Sequence, residues 1–259
     1  MQMRLTRQTA VSDSHTIRTG CAGWSLARAA WPKFPADGSH LERYAARLNA
    51  AEINSSFYRP HQHETYARWA TSVPGDFRFS VKLPKTITHQ QRLKDADALL
   101  DEFMPQVTGL GVKLGCLLVQ LPPSLGLEAA AAADFLTALR QRHAGPVALE
   151  ARHAGWFTPD ADALLVSHHV GRVLADPVLF DAGRWPGGDP ALVYVRLHGS
   201  PRMYYSAYER GVLDALAARL SLAAASGAEA WCIFDNTASG AAIEDALYTA
   251  QALQRAPGS

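Results

Sequence analysis

The chain predicts a single TIM-type (β/α)8 barrel, with some helices irregular or missing, and three observations carry that expectation. Short runs rich in β-branched and aromatic residues alternate with longer runs of helical period along the whole chain. The length, 259 residues, matches the roughly 250 typical of such barrels. No Gly-x-Gly-x-x-Gly or P-loop pattern follows any strand candidate, which leaves a dinucleotide or nucleoside-triphosphate fold without its phosphate cradle. An open doubly wound sheet would need more residues outside the sheet.

The strand candidates in order are TIRTGCA (16–22), AAEINSS (50–56), FRFSVKL (77–83), GCLLVQL (115–121), PVALEAR (146–152), GRVLAD (171–176), LVYVRLH (192–198) and AWCIFDN (230–236). Helical periodicity falls between them at about 40–48, 63–72, 93–105, 127–143, 159–168, 207–225 and 240–254. The domain expected is 16–255, preceded by a disordered tail over 1–15.

Composition excludes several function classes. The chain is 48% hydrophobic and 19% charged, as expected of a globular protein, and its net charge of +1 supplies no field to draw in nucleic acid or a membrane surface. No apolar run approaches the roughly 20 residues a bilayer span needs, and the N-terminus lacks the apolar core of a secretory signal, so the expected location is the cytoplasm. Cys21, Cys116 and Cys232 lie far apart in apolar runs and read as small buried hydrophobes, neither a disulfide framework nor a zinc motif.

Period-2 alternation separates the two faces of each strand. Phe77, Phe79, Val81 and Leu83 share one face of the third run and should pack on helices, which turns Arg78, Ser80 and Lys82 the other way. The same reading sends Glu52 and Asn54, Gln120, Glu150 and Arg152, and Tyr194, Arg196 and His198 into the barrel. In CIFDN the phase is ambiguous, so Asp235 or Asn236 is the inward residue. Barrel interiors are usually filled by Val, Ile and Leu; here charges collect towards the strands' C-terminal ends, where barrel enzymes carry their sites. Burial of so many charges requires mutual pairing or a ligand. Aromatic residues after strand ends, Trp24, Phe57, Tyr58, Trp156 and Phe157, either wall such a site or pack. His61 and His63 suit loop caps, and His168 and His169 a helix C-terminus.

The segments GCAGWS, EINSSFY, FRFSVKLPKTITH, LVQLPPS, LEARHAGWF, YVRLHG and FDNTASGAA, in order from about residue 17 to 250, resemble the signature blocks of the YecE-like proteins, the domain of unknown function 72 family. The resemblance implies a TIM-barrel-like fold with the polar members of these blocks at one site, and it brings no reaction with it. Two positions depart from the pattern: HQH at 61–63 replaces a turn that more often contains proline, and Ala151 stands where an aromatic is common.

The functional expectation is a small anionic molecule, bearing phosphate or carboxylate, bound at the C-terminal face and processed by general acid/base chemistry of a hydrolase, isomerase or lyase. Glu52, Glu150 and His198 are the catalytic candidates. Trp24, Asn54, Tyr58, Lys82, Gln120, Arg152, Arg196, Asp235 and Asn236 are the binding candidates, with no cofactor. Glu52 is the favoured acid, unless it pairs with Lys82 on the neighbouring strand. Two alternatives stand beside this: a non-catalytic sensor of a metabolite or nucleic-acid end, and a divalent-metal sugar isomerase or phosphodiesterase-like barrel using Glu52, Glu150, Asp176, His198 and Asp235. Three cations, Lys82, Arg152 and Arg196, weigh against a metal, so none is expected.

Overall fold

The computed structural model describes residues 17–255; the expected N-terminal tail lies outside them. Five parallel strands follow one another around a barrel: β1 (Arg18–Ala22), β2 (Ala50–Ile53), β3 (Arg78–Lys82), β4 (Leu114–Gln120) and β5 (Val147–Glu150). The sixth position is shared by β6 (Val170–Arg172), paired with β5, and β7 (Leu174–Asp176), paired with β9 (Leu192–Leu197). Only Val173 separates these two segments, so one stretch of chain bonds one neighbour with its first half and the other with its second. The two-residue β8 (Gly187–Gly188) lies antiparallel on β6, and β10 (Glu229–Phe234) joins β9 to β1. The sheet is thereby nearly closed.

The strand-to-strand connections carry α1 (His40–Ala45), α2 (His63–Thr71), α3 (Asp97–Val107), α4 (Ala129–Arg142), α5 (Pro159–Ser167) and α6 (Arg210–Ala225), and α7 (Ala241–Arg255) follows β10. Local chemistry sets several boundaries. Ser39 and Glu42 form a reciprocal capping box at the start of α1, while Thr158 caps α5 with Pro159 in its first turn. Between β7 and β9 there is no α-helix, only a 3-10 turn at Asp181–Arg184 and β8. Pro177, Pro186 and Pro190 with Gly183, Gly187 and Gly188 account for that, since each disfavours a helix interior. The gap in the helical layer leaves a groove of about 900 Å³ between the outer face of β9 and α6, with Trp185 and Val212 among its lining residues.

Two apolar clusters divide the core. Phe77, Phe79, Val81 and Leu83 belong to the outer cluster, with helix residues such as Leu100, Leu136 and Leu213. The inner one fills the lower barrel with Cys116, Leu118, Ala148, Leu192, Tyr194, Trp231 and Ile233. Gly115 makes room there, because a Cβ would collide with the Trp231 ring and with Arg78. Gly20 serves a different close approach: the Tyr44 hydroxyl is wedged between β1 and β2, accepting from Cys21 N–H at 2.7 Å and donating to Ala50 O at 2.8 Å. The three cysteines are free and buried, and burial pushes the Cys21 thiol up to about 12. Among the described residues no helix is long and apolar enough to cross a membrane.

Candidate functional site

Above the apolar plug the inward side chains turn polar, and they form a floor and a rim. Arg196 of β9 is the centre of the floor. It donates to Glu52 of β2 through Nη2 to Oε1 at 2.7 Å and Nε to Oε2 at 3.0 Å, a two-pronged pair across the barrel. Its Nη1 lies 3.3 Å from Glu150 Oε2 and 3.1 Å from Asp235 Oδ2. Tyr194, two residues earlier on the same strand face, donates its hydroxyl to Glu52 Oε2 at 3.0 Å, with Ser80 Oγ 2.9 Å away. Glu52, Ser80, Tyr194 and Arg196 are all fully buried. Burial tends to lower the Arg196 pKa, but the charges of Glu52, Asp235 and Glu150 outweigh it and hold the guanidinium well above its ordinary value.

His198, just past the end of β9, joins floor to rim. Asp235 Oδ2 faces its Nδ1 at 3.0 Å, and Glu150 Oε1 faces its Nε2 at 3.0 Å. Burial would lower the imidazole pKa; the Glu150 charge and the bonds to Asp235 and Glu150 raise it instead. The same partners act back on the carboxylates. Burial pushes Glu150 up, yet Arg196, His198 and Arg152 hold it well below the usual range, and Asp235 is lowered against burial chiefly by Arg196. Arg152 completes the group: its Nε and Nη2 donate to Glu150 Oε1 at 3.0 and 2.8 Å, and Nη2 lies 2.9 Å from His198 Nε2. The two contacts at Nε2 define two proton states. A neutral ring donates from Nδ1 to Asp235 and accepts from Arg152 at Nε2, whereas the imidazolium donates from both nitrogens to the two carboxylates.

The rim consists of Lys82 at the end of β3, Gln120 at the end of β4, Arg152 and Asp235. Lys82 Nζ sits 4.1 Å from the centroid of the Phe57 ring. Burial first, and then the Arg196 charge, lower its pKa to about 8 despite Glu52, Glu150 and Asp235. Gln120 is level with Glu150 in the ladder. Above His198 the segment Gly199–Tyr208 folds over: Tyr204 N donates to His198 O at 2.5 Å and its ring stands edge-on to the imidazole at 5.7 Å. A cavity of about 10 Å³, room for about one water, lies among Arg152, Ala175, His198 and Met203.

The fold therefore brings together Glu52, Lys82, Glu150, Arg152, Arg196, His198 and Asp235, with Gln120 beside them. It places four other candidates elsewhere. Trp24 packs edge-on against Trp69 and Phe79 at 5.1 and 5.9 Å, on the helix side of the sheet. Tyr58 is 68% exposed, beyond the Phe57 ring. The backbone leaves strand geometry after Ile53, so Asn54 does not continue the inward face, and its buried Oδ1 has no hydrogen-bond partner among the described residues. The ambiguity at CIFDN resolves in favour of Asp235, because Asn236 donates to Asp245 Oδ2 at 2.7 Å and Ser206 O at 2.9 Å behind the strand. Glu52 pairs with Arg196 and not with Lys82, since Arg196 reaches it across the barrel with three donor contacts. Asp176 accepts from the Tyr208 hydroxyl at 2.7 Å and stays apart from the cluster. The guanidinium of Arg196 lies among the three carboxylates of Glu52, Glu150 and Asp235. Among the described residues no three His, Cys, Asp or Glu side chains are grouped as metal ligands.

Sequence reasoning missed His89. It lies on a π-helical turn, Thr86–Gln90, directly after β3, with its ring edge-on to Phe57 at 4.9 Å. Burial, Lys82 and Arg152, in that order, lower its pKa. Its one sequence signal is that it closes the block FRFSVKLPKTITH, which begins on the strand bearing Lys82.

A nearly closed barrel with an acidic and basic cluster at the C-terminal ends of its strands defines the class. The family described as "Protein of unknown function DUF72" matches residues 18–259, and the chain belongs to it. It is 30% identical over 143 residues to the UPF0759 protein YecE of Escherichia coli O157:H7, and 27% identical over 149 residues to the UPF0759 protein YunF of Bacillus subtilis. Those alignments take in 55% of this chain and 52% and 53% of the two relatives, so the chain spans about half the length of the curated relatives it matches. Among solved structures, a DUF72 family protein from Thermotoga maritima superposes with a TM-score of 0.76 at 23% identity, covering 93% of this chain and 100% of that one. Another from Enterococcus faecalis gives 0.76 at 22%, covering 94% and 97%. At those identities the likeness shows the shared fold.

Proposed function

We propose that the rim binds a small anionic molecule and that His198 exchanges a proton with it, making the protein an acid/base enzyme. The observation that carries this is the placement of His198 between Glu150 and Asp235 with Arg152 on the same nitrogen. The pKa of a ring so held is raised above its ordinary value by the Glu150 charge and the bonds to Asp235 and Glu150. Floor residues are committed to one another, so the ligand meets the rim. Arg152 uses Nε and Nη2 on Glu150 and leaves Nη1 without a bond among the described residues; Lys82 makes no ion pair there. Those two free cationic donors suit carboxylate or phosphate. The Glu52 carboxylate, favoured from sequence as the acid, is engaged by Arg196 and Tyr194, and we assign the proton-transfer role to His198, with Glu150 and Asp235 as its orienting partners.

Net charge of +1 argues against nucleic acid as the partner, and three free thiols fit a reducing compartment, so we place the protein in the cytoplasm. The test begins with the small molecule that co-purifies, identified by mass spectrometry of denatured protein. Arg152→Ala should then weaken its binding at least tenfold, and His198→Asn should abolish turnover while binding persists. Tight binding with no turnover by the unaltered protein, across phosphoester, sugar and nucleotide substrates, would instead make it a sensor.

A further inference from the structure

We propose that Lys82 is a carbonyl-capturing nucleophile, its amine condensing with the aldehyde or ketone of a small carboxylate- or phosphate-bearing substrate to give an imine. This rests on the anion-binding reading above for the substrate's charge, and on Lys82 itself for the carbonyl.

Lys82 differs from every other lysine in the chain. Lys33 pairs with Glu244, Lys94 with Glu128, Lys113 bonds to Pro74 O, and Lys85 is exposed. Lys82 is 5% exposed, points into the barrel mouth, and has no hydrogen bond or ion pair among the described residues. Its surroundings explain this. Glu52 is held by Arg196, Glu150 by Arg152, His198 and Arg196, and Asp235 by His198 and Arg196. Every carboxylate that faces Lys82 is already shared, and the Nζ lies over the aromatic face of Phe57, 4.1 Å from its centroid. Arg152 carries its charge at every working pH and can hold the substrate's anion, while a buried amine without an ion pair on an apolar wall also fits a nucleophile.

The titration of Lys82 agrees. The groups facing it are Glu52, Glu150, Asp235 and Arg196 from the barrel, and His89 from the π-turn, and burial with Arg196 prevails at about 8. At pH 7 roughly a tenth of such an amine is neutral, against well under one part in a thousand for an ordinary lysine. His89 has Nδ1 on Thr88 Oγ1 at 2.8 Å, leaving Nε2 without a bond among the described residues, and burial lowers its pKa, which favours the neutral ring. Its ring stands edge-on to the same Phe57 ring at 4.9 Å, and we assign it the proton released as the amine attacks.

The balance is simple. Neutral Nζ attacks the carbonyl carbon, a C–N bond forms, and the carbonyl oxygen becomes a hydroxyl. That hydroxyl leaves as water, and its two hydrogens are those lost from nitrogen, so the condensation needs no oxidant or reductant. Added cyanoborohydride then delivers hydride to the imine carbon, with a proton to nitrogen, and fixes the adduct.

The experiment uses the full chain with pyruvate or glyoxylate and cyanoborohydride, followed by peptide mass mapping over a pH series. Lys82 should label first, at least about tenfold faster than Lys85 at pH 7, with a rate that rises and levels off near pH 8. Lys82→Met should remove that adduct alone. Labelling of Lys85 as fast as Lys82, or a Lys82 rate still climbing at pH 10, overturns the proposal. Lactate, which has the carboxylate and lacks the carbonyl, separates the two readings. Protection of Lys82 by lactate supports both. Lys82 labelling without lactate protection sustains the nucleophile and sinks the anion site. A melting temperature raised by lactate and phosphate with no Lys82 adduct keeps the anion site and refutes the nucleophile.

Discussion

Replacing Arg196 by methionine should destabilise the fold, with the anion site affected only through it. The substitution keeps an apolar stem of similar length and removes one buried charge that three carboxylates share. Their losses are unequal. Glu150 retains Arg152 and His198, and Asp235 retains His198, while Glu52 is left with the Tyr194 hydroxyl alone. One uncompensated buried charge is thus the main consequence, at a cost of about 3–5 kcal/mol. For a chain of this size that corresponds to a melting point lower by on the order of 10 °C. The deficit should be largest at neutral pH. Burial already pushes Glu150 up and Arg196 is the strongest influence opposing it, so without Arg196 protonation of Glu150 relieves part of the strain as pH falls. Calorimetry and urea unfolding of Arg196→Met, of Glu52→Leu and of the double variant form the assay. The double variant removes both charges and should recover most of the single loss, because an apolar pair in place of a buried ion pair is commonly near neutral. A loss below about 1 kcal/mol in Arg196→Met, or a double variant no better than the single, refutes the view of Arg196 as the structural centre of the floor.

Three further outcomes follow from the same geometry. Stability should peak between about pH 4.5 and 6.5: the lowered Glu150 and Asp235 contribute above their unfolded values and lose that as pH falls through the folded ones, while the raised His198 contributes below 6.5 and loses it as pH rises through its folded value; unfolding curves from pH 3 to 9 check this, and His198→Asn should flatten the alkaline limb. Tyr194→Phe removes the hydroxyl that Glu52 and Ser80 share and should cost about 1–3 kcal/mol by urea unfolding, with phosphate affinity unchanged. Gly115→Ala should cost about 1–3 kcal/mol by overpacking against Trp231, read as a lower melting temperature and altered near-ultraviolet dichroism of that tryptophan.

Periodicity alone settled the order and nature of the strands, because a side-chain period of two is a local property that any barrel strand must obey. FRFSVKL shows it best: the expected run 77–83 became β3 at Arg78–Lys82, with Phe79 outside and Lys82 inside, as the alternation required. The same logic collected Glu52, Glu150, Arg196 and His198 on inward faces before any distance was known. It failed at Asn54, where the backbone leaves the strand, and left the end of CIFDN open until Asn236 proved to bond Asp245 and Ser206, since period two says nothing once the pleat ends. The run GRVLAD also looked like one strand; only closure of the sheet shows it split around Val173 between two partners. Which charge meets which is a question of distance across the barrel. Glu52 and Arg196 are separated by 144 positions in sequence yet bond at 2.7 Å, while Lys82, on the strand next to Glu52, makes no ion pair among the described residues. Alternation alone shows that the mouth of this barrel is charged. Only the folded chain settles which of those charges neutralise one another and that, among the described residues, Lys82 and Arg152 keep a donor without a partner, because Coulomb energy in a low-dielectric interior depends on separation in space and on what else each group touches.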